Sequence, residues 1–163
     1  MGSLVIEKTV TGRMGDRNLA FTFSVSLNDT SINGDYGGVQ FINGTAAFQL
    51  KHGERTAIPG LPNGMAYTVI EEPVLGYDAT YTQTKRDEDG NVKETLYTDA
   101  AYTNAGVSGT IDANAQNRVE FTNRKDAEPD TGIVLDSLPY IAILAVVIGG
   151  VIWMIIRRRR RDD

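Results

Sequence analysis

The chain has 163 residues, a net charge of −5, no cysteine and one histidine. Its acidity argues against nucleic acid and anionic lipid as partners, and the missing cysteines exclude disulfides, thiol nucleophiles and cysteine zinc sites. His52 sits in Lys51-His52-Gly53-Glu54, which reads as a solvated turn, and no motif around it supports a Ser-His-Asp hydrolase.

Met1-Gly2-Ser3 leads straight into a strand pattern, without the basic segment and apolar stretch of a secretory leader. The chain is therefore expected to be a fragment of a longer exported protein. Leu4 to Val10 alternates, with Leu4, Ile6, Lys8 and Val10 on one face and Val5, Glu7 and Thr9 on the other. Ala20 to Leu27 alternates more cleanly, with Phe21, Phe23, Val25 and Leu27 against Thr22, Ser24 and Ser26. Asn28 to Gly38 is polar and glycine-rich and reads as a loop. Val39 to Ile42 and Thr45 to Leu50 flank Asn43-Gly44, a strong hairpin signal, with Ala46, Phe48 and Leu50 sharing a face.

Ile58 to Gly64 reads as a turn-rich connector. Tyr67 to Glu71 alternates with Tyr67, Val69 and Glu71 inward, and Pro73, lacking an N–H, ends the ladder. Tyr77 to Thr84 and Val92 to Tyr97 read as partner strands around the charged tip Asp87-Glu88-Asp89-Gly90-Asn91. That tip has its glycine misplaced for the helix–loop–helix calcium pattern. Asp99 to Ser108 is small and polar, and Thr110-Ile111 is a short strand. Arg118 to Asn123 is the last strand, with Val119, Phe121 and Asn123 on one face, and Lys125 to Pro129 is a charged linker. No helical periodicity and no internal repeat precede Pro139. The prediction is an all-β domain of about seven to nine strands, most simply a sandwich. Its expected core includes Phe21, Phe23, Val25, Phe48, Val69 and Phe121.

Pro139 to Ile156 is 18 residues without a charge. As a helix it would be ~27 Å long, about the thickness of a bilayer's hydrocarbon core. Arg157 to Arg161 follow at once, and basic residues beside a span mark the cytoplasmic side. The expectation is a transmembrane helix over 139–156, a cytoplasmic tail over 157–163, and everything before Pro139 outside. A buried core helix is the plainer alternative, but a uniform apolar run ending in a block of like charges speaks against it.

Parity also turns Lys8, Glu71 and Asn123 inward on the first, a middle and the last strand. On parity alone they could form a buried salt bridge with one hydrogen bond, or sit at strand ends that reach water. A third outcome is chemical. Burial disfavours charge, so the lysine loses its proton more easily and the glutamate holds its own more tightly. A neutral Lys8 amine held against the Asn123 carboxamide could then expel ammonia and form an amide crosslink, with Glu71 as the acid.

The segments Lys8-Thr9-Val10-Thr11-Gly12, Phe21-Thr22-Phe23, Gly60-Leu61-Pro62-Asn63-Gly64, Tyr67-Thr68-Val69-Ile70-Glu71 and Phe121-Thr122-Asn123 resemble the streptococcal pilin isopeptide-linkage domain. That family is related to the B-type repeats of collagen-binding adhesins, and the resemblance covers roughly 4–124. It implies an Ig-like, B-type β-sandwich in which Lys8 joins Asn123 with Glu71 assisting. The tail resembles the cell-wall sorting signal of Gram-positive surface proteins. Pro129, Asp130, Thr131 and Gly132 match the last four positions of its Leu-Pro-x-Thr-Gly motif, and Glu128 stands where leucine is usual. The resemblance implies cleavage between Thr131 and Gly132 by a sortase and transfer to peptidoglycan.

The expected organisation is a β-sandwich over 4–124, a linker with the sorting motif over 125–138, the span and the tail. The expected role is a structural or adhesive module, pilin-like, on the outer face of a Gram-positive cell, and not an enzyme beyond its own crosslinking. The alternative is a ligand-binding adhesin module held as a single-pass membrane protein without sortase processing. Sortase, peptidoglycan and the membrane are the implied partners, with other pilin subunits or a host ligand as further candidates. No cofactor, metal or nucleic acid is implied.

Overall fold

Period-two alternation becomes paired sheets in the computed structural model, which describes residues 1–126. The strands are β1 (Gly2–Thr11), β2 (Phe21–Leu27), β3 (Gly34–Tyr36), β4 (Val39–Phe41), β5 (Thr45–Leu50), β6 (Arg55–Leu61), β7 (Ala66–Glu71), β8 (Asp78–Arg86), β9 (Val92–Ala101), β10 (Val107–Thr110) and β11 (Gln116–Arg124). One sheet has the order β6-β1-β11-β8-β9 and the other β10-β7-β2-β5, with β3 and β4 as a separate ribbon. Every pairing is antiparallel except β1 with β11, which run parallel from Ser3↔Gln116 to Thr11↔Arg124. The core draws Leu4, Ile6 and Val10 from β1, Phe21, Phe23 and Val25 from β2, and Val119 and Phe121 from β11.

Several expectations need correction. Ile58 to Gly64 is not a connector: β6 runs to Leu61, and Ile58 and Leu61 are fully buried. Pro59 is tolerated because β6 is an edge strand bonded only to β1, so a missing N–H there costs no ladder bond. The loop read over Asn28 to Gly38 contains β3, and the small polar stretch after Asp99 contains the end of β9 and the start of β10. The short strand expected at Thr110-Ile111 is β10, ending at Thr110.

Asn43 and Gly44 both have positive φ, 52° and 79°, as a two-residue hairpin turn demands. Ile42 and Thr45 close that turn, but β4 then pairs with β3 and β5 with β2, so the hairpin goes no further. Phe48 is half-buried rather than a core residue, its ring stacked 5.9 Å from that of Phe23. Val5, read as outward, is buried between its ladder partners Ala57 and Arg118.

No helix among the described residues is long and apolar enough to cross a membrane. The span expected over 139–156, the basic tail and the motif Pro129, Asp130, Thr131, Gly132 lie outside the described residues.

Candidate functional site

Lys8 and Asn123 sit on adjacent strands of the five-stranded sheet. The parallel register sets Lys8 opposite Phe121 and Val10 opposite Asn123, so the two side chains are one pleat apart on the same face. Glu71, the last residue of β7, faces them from the other sheet, where it pairs with Phe23. All three are at most 2% exposed. Lys8 Nζ donates to Glu71 Oε2 at 2.6 Å and also to Asn123 Oδ1. The structure thus brings together the three polar residues that parity turned inward.

Aromatic rings enclose the trio. Lys8 Nζ lies 3.9 Å from the centre of the Phe21 ring and 5.9 Å from that of Phe23. Phe121 meets Phe23 edge-on at 5.1 Å and Tyr102 at 5.5 Å. Rings exclude water but satisfy no hydrogen bond, so the polar atoms inside must satisfy one another.

Burial lowers the Lys8 pKa to about 8, a shift that the neighbouring Glu71 carboxylate only partly opposes. Burial raises Glu71, again only partly opposed by Lys8 and by the Asn123 side chain. Both groups therefore move toward their neutral forms, an amine that can attack and a carboxyl that can donate a proton. A cavity of about 450 Å³ reaches Glu71 and Asn123 and is lined also by Tyr77, Asp78 and Tyr102.

These shifts set a pH dependence for a chain that keeps both groups but cannot react, Asn123→Ala. Above 4.5, up to the raised Glu71 value, the native state holds a proton that the unfolded state has released, so stability should fall as pH rises. Between about 8 and 10.5 the unfolded state holds a proton that native Lys8 has released, so stability should climb again. Urea midpoints taken across this range read the two limbs, and a flat profile would contradict the burial of the pair.

His52 is not the solvated residue that its turn suggested. It is half-buried, and its Nδ1 accepts a hydrogen bond from the Val10 N–H at 2.9 Å. The same turn binds the main chain of Lys8 on both sides: Lys8 N donates to Glu54 O at 3.0 Å, and Gly53 N donates to Lys8 O at 2.9 Å. Tyr102 was also missed, because the stretch around it is small and polar. Its only signal was being the single aromatic between Asp99 and Ser108. Among the described residues no cluster of His, Asp and Glu is placed to hold a metal. In the Asp87 tip, that carboxylate accepts from the N–H groups of Asp89 and Asn91 and closes a turn.

The chain is 32% identical over 140 residues to the pilus tip adhesin Cpa of Streptococcus pyogenes, an alignment covering 82% of this chain and 18% of that protein. It is 28% identical over 171 residues to a pilin of Streptococcus pyogenes serotype M1, covering 94% of this chain and 48% of the pilin. The chain thus spans less than half the length of either relative. Among solved structures, the pilus-presented adhesin Cpa superposes with a TM-score of 0.56 at 29% identity, over 77% of this chain and 28% of that one. The described domain is therefore similar in sequence and in all-β fold to modules of streptococcal pilins and pilus adhesins. The model of a domain of unknown function (DUF7601) matches residues 2–92, and the chain belongs to that family.

Proposed function

We propose that this chain is a pilin-like structural or adhesive module of a Gram-positive cell surface, closed by an amide bond between Lys8 and Asn123. The observation that carries the reading is the buried contact of Lys8 Nζ with both Glu71 and Asn123. Neutral Lys8 Nζ attacks Asn123 Cγ, with Glu71 donating a hydrogen bond to the carboxamide. Glu71 then relays the proton lost by Nζ to Nδ2, the Cγ–Nδ2 bond breaks, and ammonia leaves. One N–C bond forms, one breaks, and Glu71 ends as it began. Intact mass tests this: a folded, aged chain should weigh one ammonia less than its sequence. Full mass would leave the trio as an ion pair with a hydrogen bond.

The similarity to pilus proteins supports a place outside the cell, where a cysteine-free domain has no disulfide to draw on. Wall attachment rests on the sequence alone. Sortase would cut between Thr131 and Gly132 and join Thr131 to peptidoglycan, releasing the span 139–156 and the cytoplasmic tail. Expressed in a Gram-positive host with its sortases, the chain should become resistant to detergent extraction, and Thr131→Ala or loss of the sortases should restore extraction. Equal extraction in every case would favour the alternative, an adhesin module held by its membrane span. Other pilin subunits or a host ligand remain its candidate partners.

A further inference from the structure

Glu71 carries the carboxyl of the proposed crosslink from the last position of β7, where the sheet is about to end. On one side β7 pairs with β2 up to Phe23↔Glu71, and Glu72 N donates to Thr22 O at 2.9 Å. Antiparallel pairs alternate between bonded and non-bonded, so Glu71 turns its own N–H and C=O the other way. On that side lies β10, which pairs only with Ala66 to Val69 and stops short of Glu71. Both main-chain groups would be left without a partner beside a water-excluding site.

Tyr102 supplies the partner. Its hydroxyl accepts from the Glu71 N–H at 2.7 Å and donates to the Glu71 C=O at 3.0 Å. One phenol stands in for the missing residue of a neighbouring strand. The ring is held in turn: it meets Phe121 edge-on, and the Tyr102 N–H donates to Ala79 O at 3.0 Å on β8. Tyr102 thereby ties the end of β7 to β8 and β11, the latter carrying Asn123 two residues beyond Phe121. It also lines the cavity that reaches Glu71 and Asn123.

We propose that Tyr102 is a positioning residue for the Lys8–Asn123 crosslink: it fixes the main chain of Glu71 so that the carboxyl faces the amide. This rests on the crosslink reading above. Tyr102 donates no proton to the reacting atoms, since its hydroxyl is spent on the Glu71 main chain.

The full chain, purified unfolded from inclusion bodies, is refolded by dilution into mild detergent, and loss of ammonia is followed by intact mass. Only the folded, protease-resistant fraction is counted. Tyr102→Phe keeps the ring and removes both hydrogen bonds, and the ammonia-loss rate should fall roughly tenfold. Against pH the height of the rate profile should drop while its limbs stay in place, because the hydroxyl does not touch the carboxyl. The same substitution in a Lys8→Ala background, which cannot crosslink, measures its effect on the melting temperature alone. A role confined to stability would move that temperature and leave the rate per folded molecule unchanged. If the unsubstituted chain loses ammonia and Tyr102→Phe does so equally fast, the positioning role is overturned and the crosslink stands. If the unsubstituted chain keeps its full mass, the crosslink falls and the positioning role with it.

Discussion

Chains carrying Lys8→Ala, Asn123→Ala or Glu71→Ala are expected to keep the full mass of their sequences and to melt about 12–25 °C below the crosslinked protein. Lys8 and Asn123 are 115 positions apart. Closing a loop of that length removes ~4–5 kcal/mol of unfolded-state freedom in the chain-entropy account. For a domain of this size each kcal/mol shifts the melting temperature by about 3–5 °C. The three variants differ in what they leave behind. Lys8→Ala leaves a buried carboxyl that can stay protonated. Glu71→Ala leaves a buried amine without its acceptor, and one-sided removal of a buried pair is the costlier kind of loss. Glu71→Gln keeps the volume and a hydrogen-bonding amide while removing the acid, so it should block ammonia loss with less disturbance than Glu71→Ala. Intact mass and a thermal melt read both effects. A Glu71→Gln chain that loses ammonia at the normal rate would show that Glu71 is not the acid.

Phe23→Ala should cost ~3–5 kcal/mol, the range for deleting a buried ring that its surroundings cannot refill. Phe23 is fully buried between the sheets, against Phe48 on one side and Phe121 on the other. The vacated space would adjoin Lys8 Nζ, 5.9 Å from the ring centre. Water entering there would hydrate the amine, return its pKa toward the ordinary lysine value and slow ammonia loss. Phe48→Ala makes the contrast: its half-exposed ring has less surface to lose, and the cost should be ~1–2 kcal/mol. Denaturant midpoints give the two costs, and equal values would mean that the core does not centre on Phe23.

The alternating strands were legible because their inward residues are large and apolar against small polar neighbours. Phe21-Thr22-Phe23-Ser24-Val25 and Tyr67-Thr68-Val69-Ile70-Glu71 fold as they read. β6 was hidden by Pro59 and Gly60, turn-formers in most settings, which an edge position accommodates. β9 could be read only in part, because it is exposed on both faces and carries no inward apolar set. Parity turned Lys8, Glu71 and Asn123 inward, but their meeting depends on the parallel register of β1 with β11 and on how far β7 reaches. Register between distant strands has no local signature in the chain. Tyr102 was illegible for a related reason: its partner is a main-chain group, and a strand that stops two pairs short of Glu71 leaves no trace in composition.

The parallel course of β1 and β11 has a mechanical consequence. Because these two strands run the same way, the chain enters the domain at one end, at Gly2, and leaves at the other, at Arg124. Tension along the chain therefore slides β1 against β11 and strains the whole ladder at once, instead of peeling its bonds apart one by one. With Lys8 tied to Asn123, force would climb β1 only as far as Lys8, step across a covalent bond and exit at Arg124. Everything from Thr9 to Thr122 would hang beside the line of force as an unloaded loop, free to keep its shape while the module is pulled.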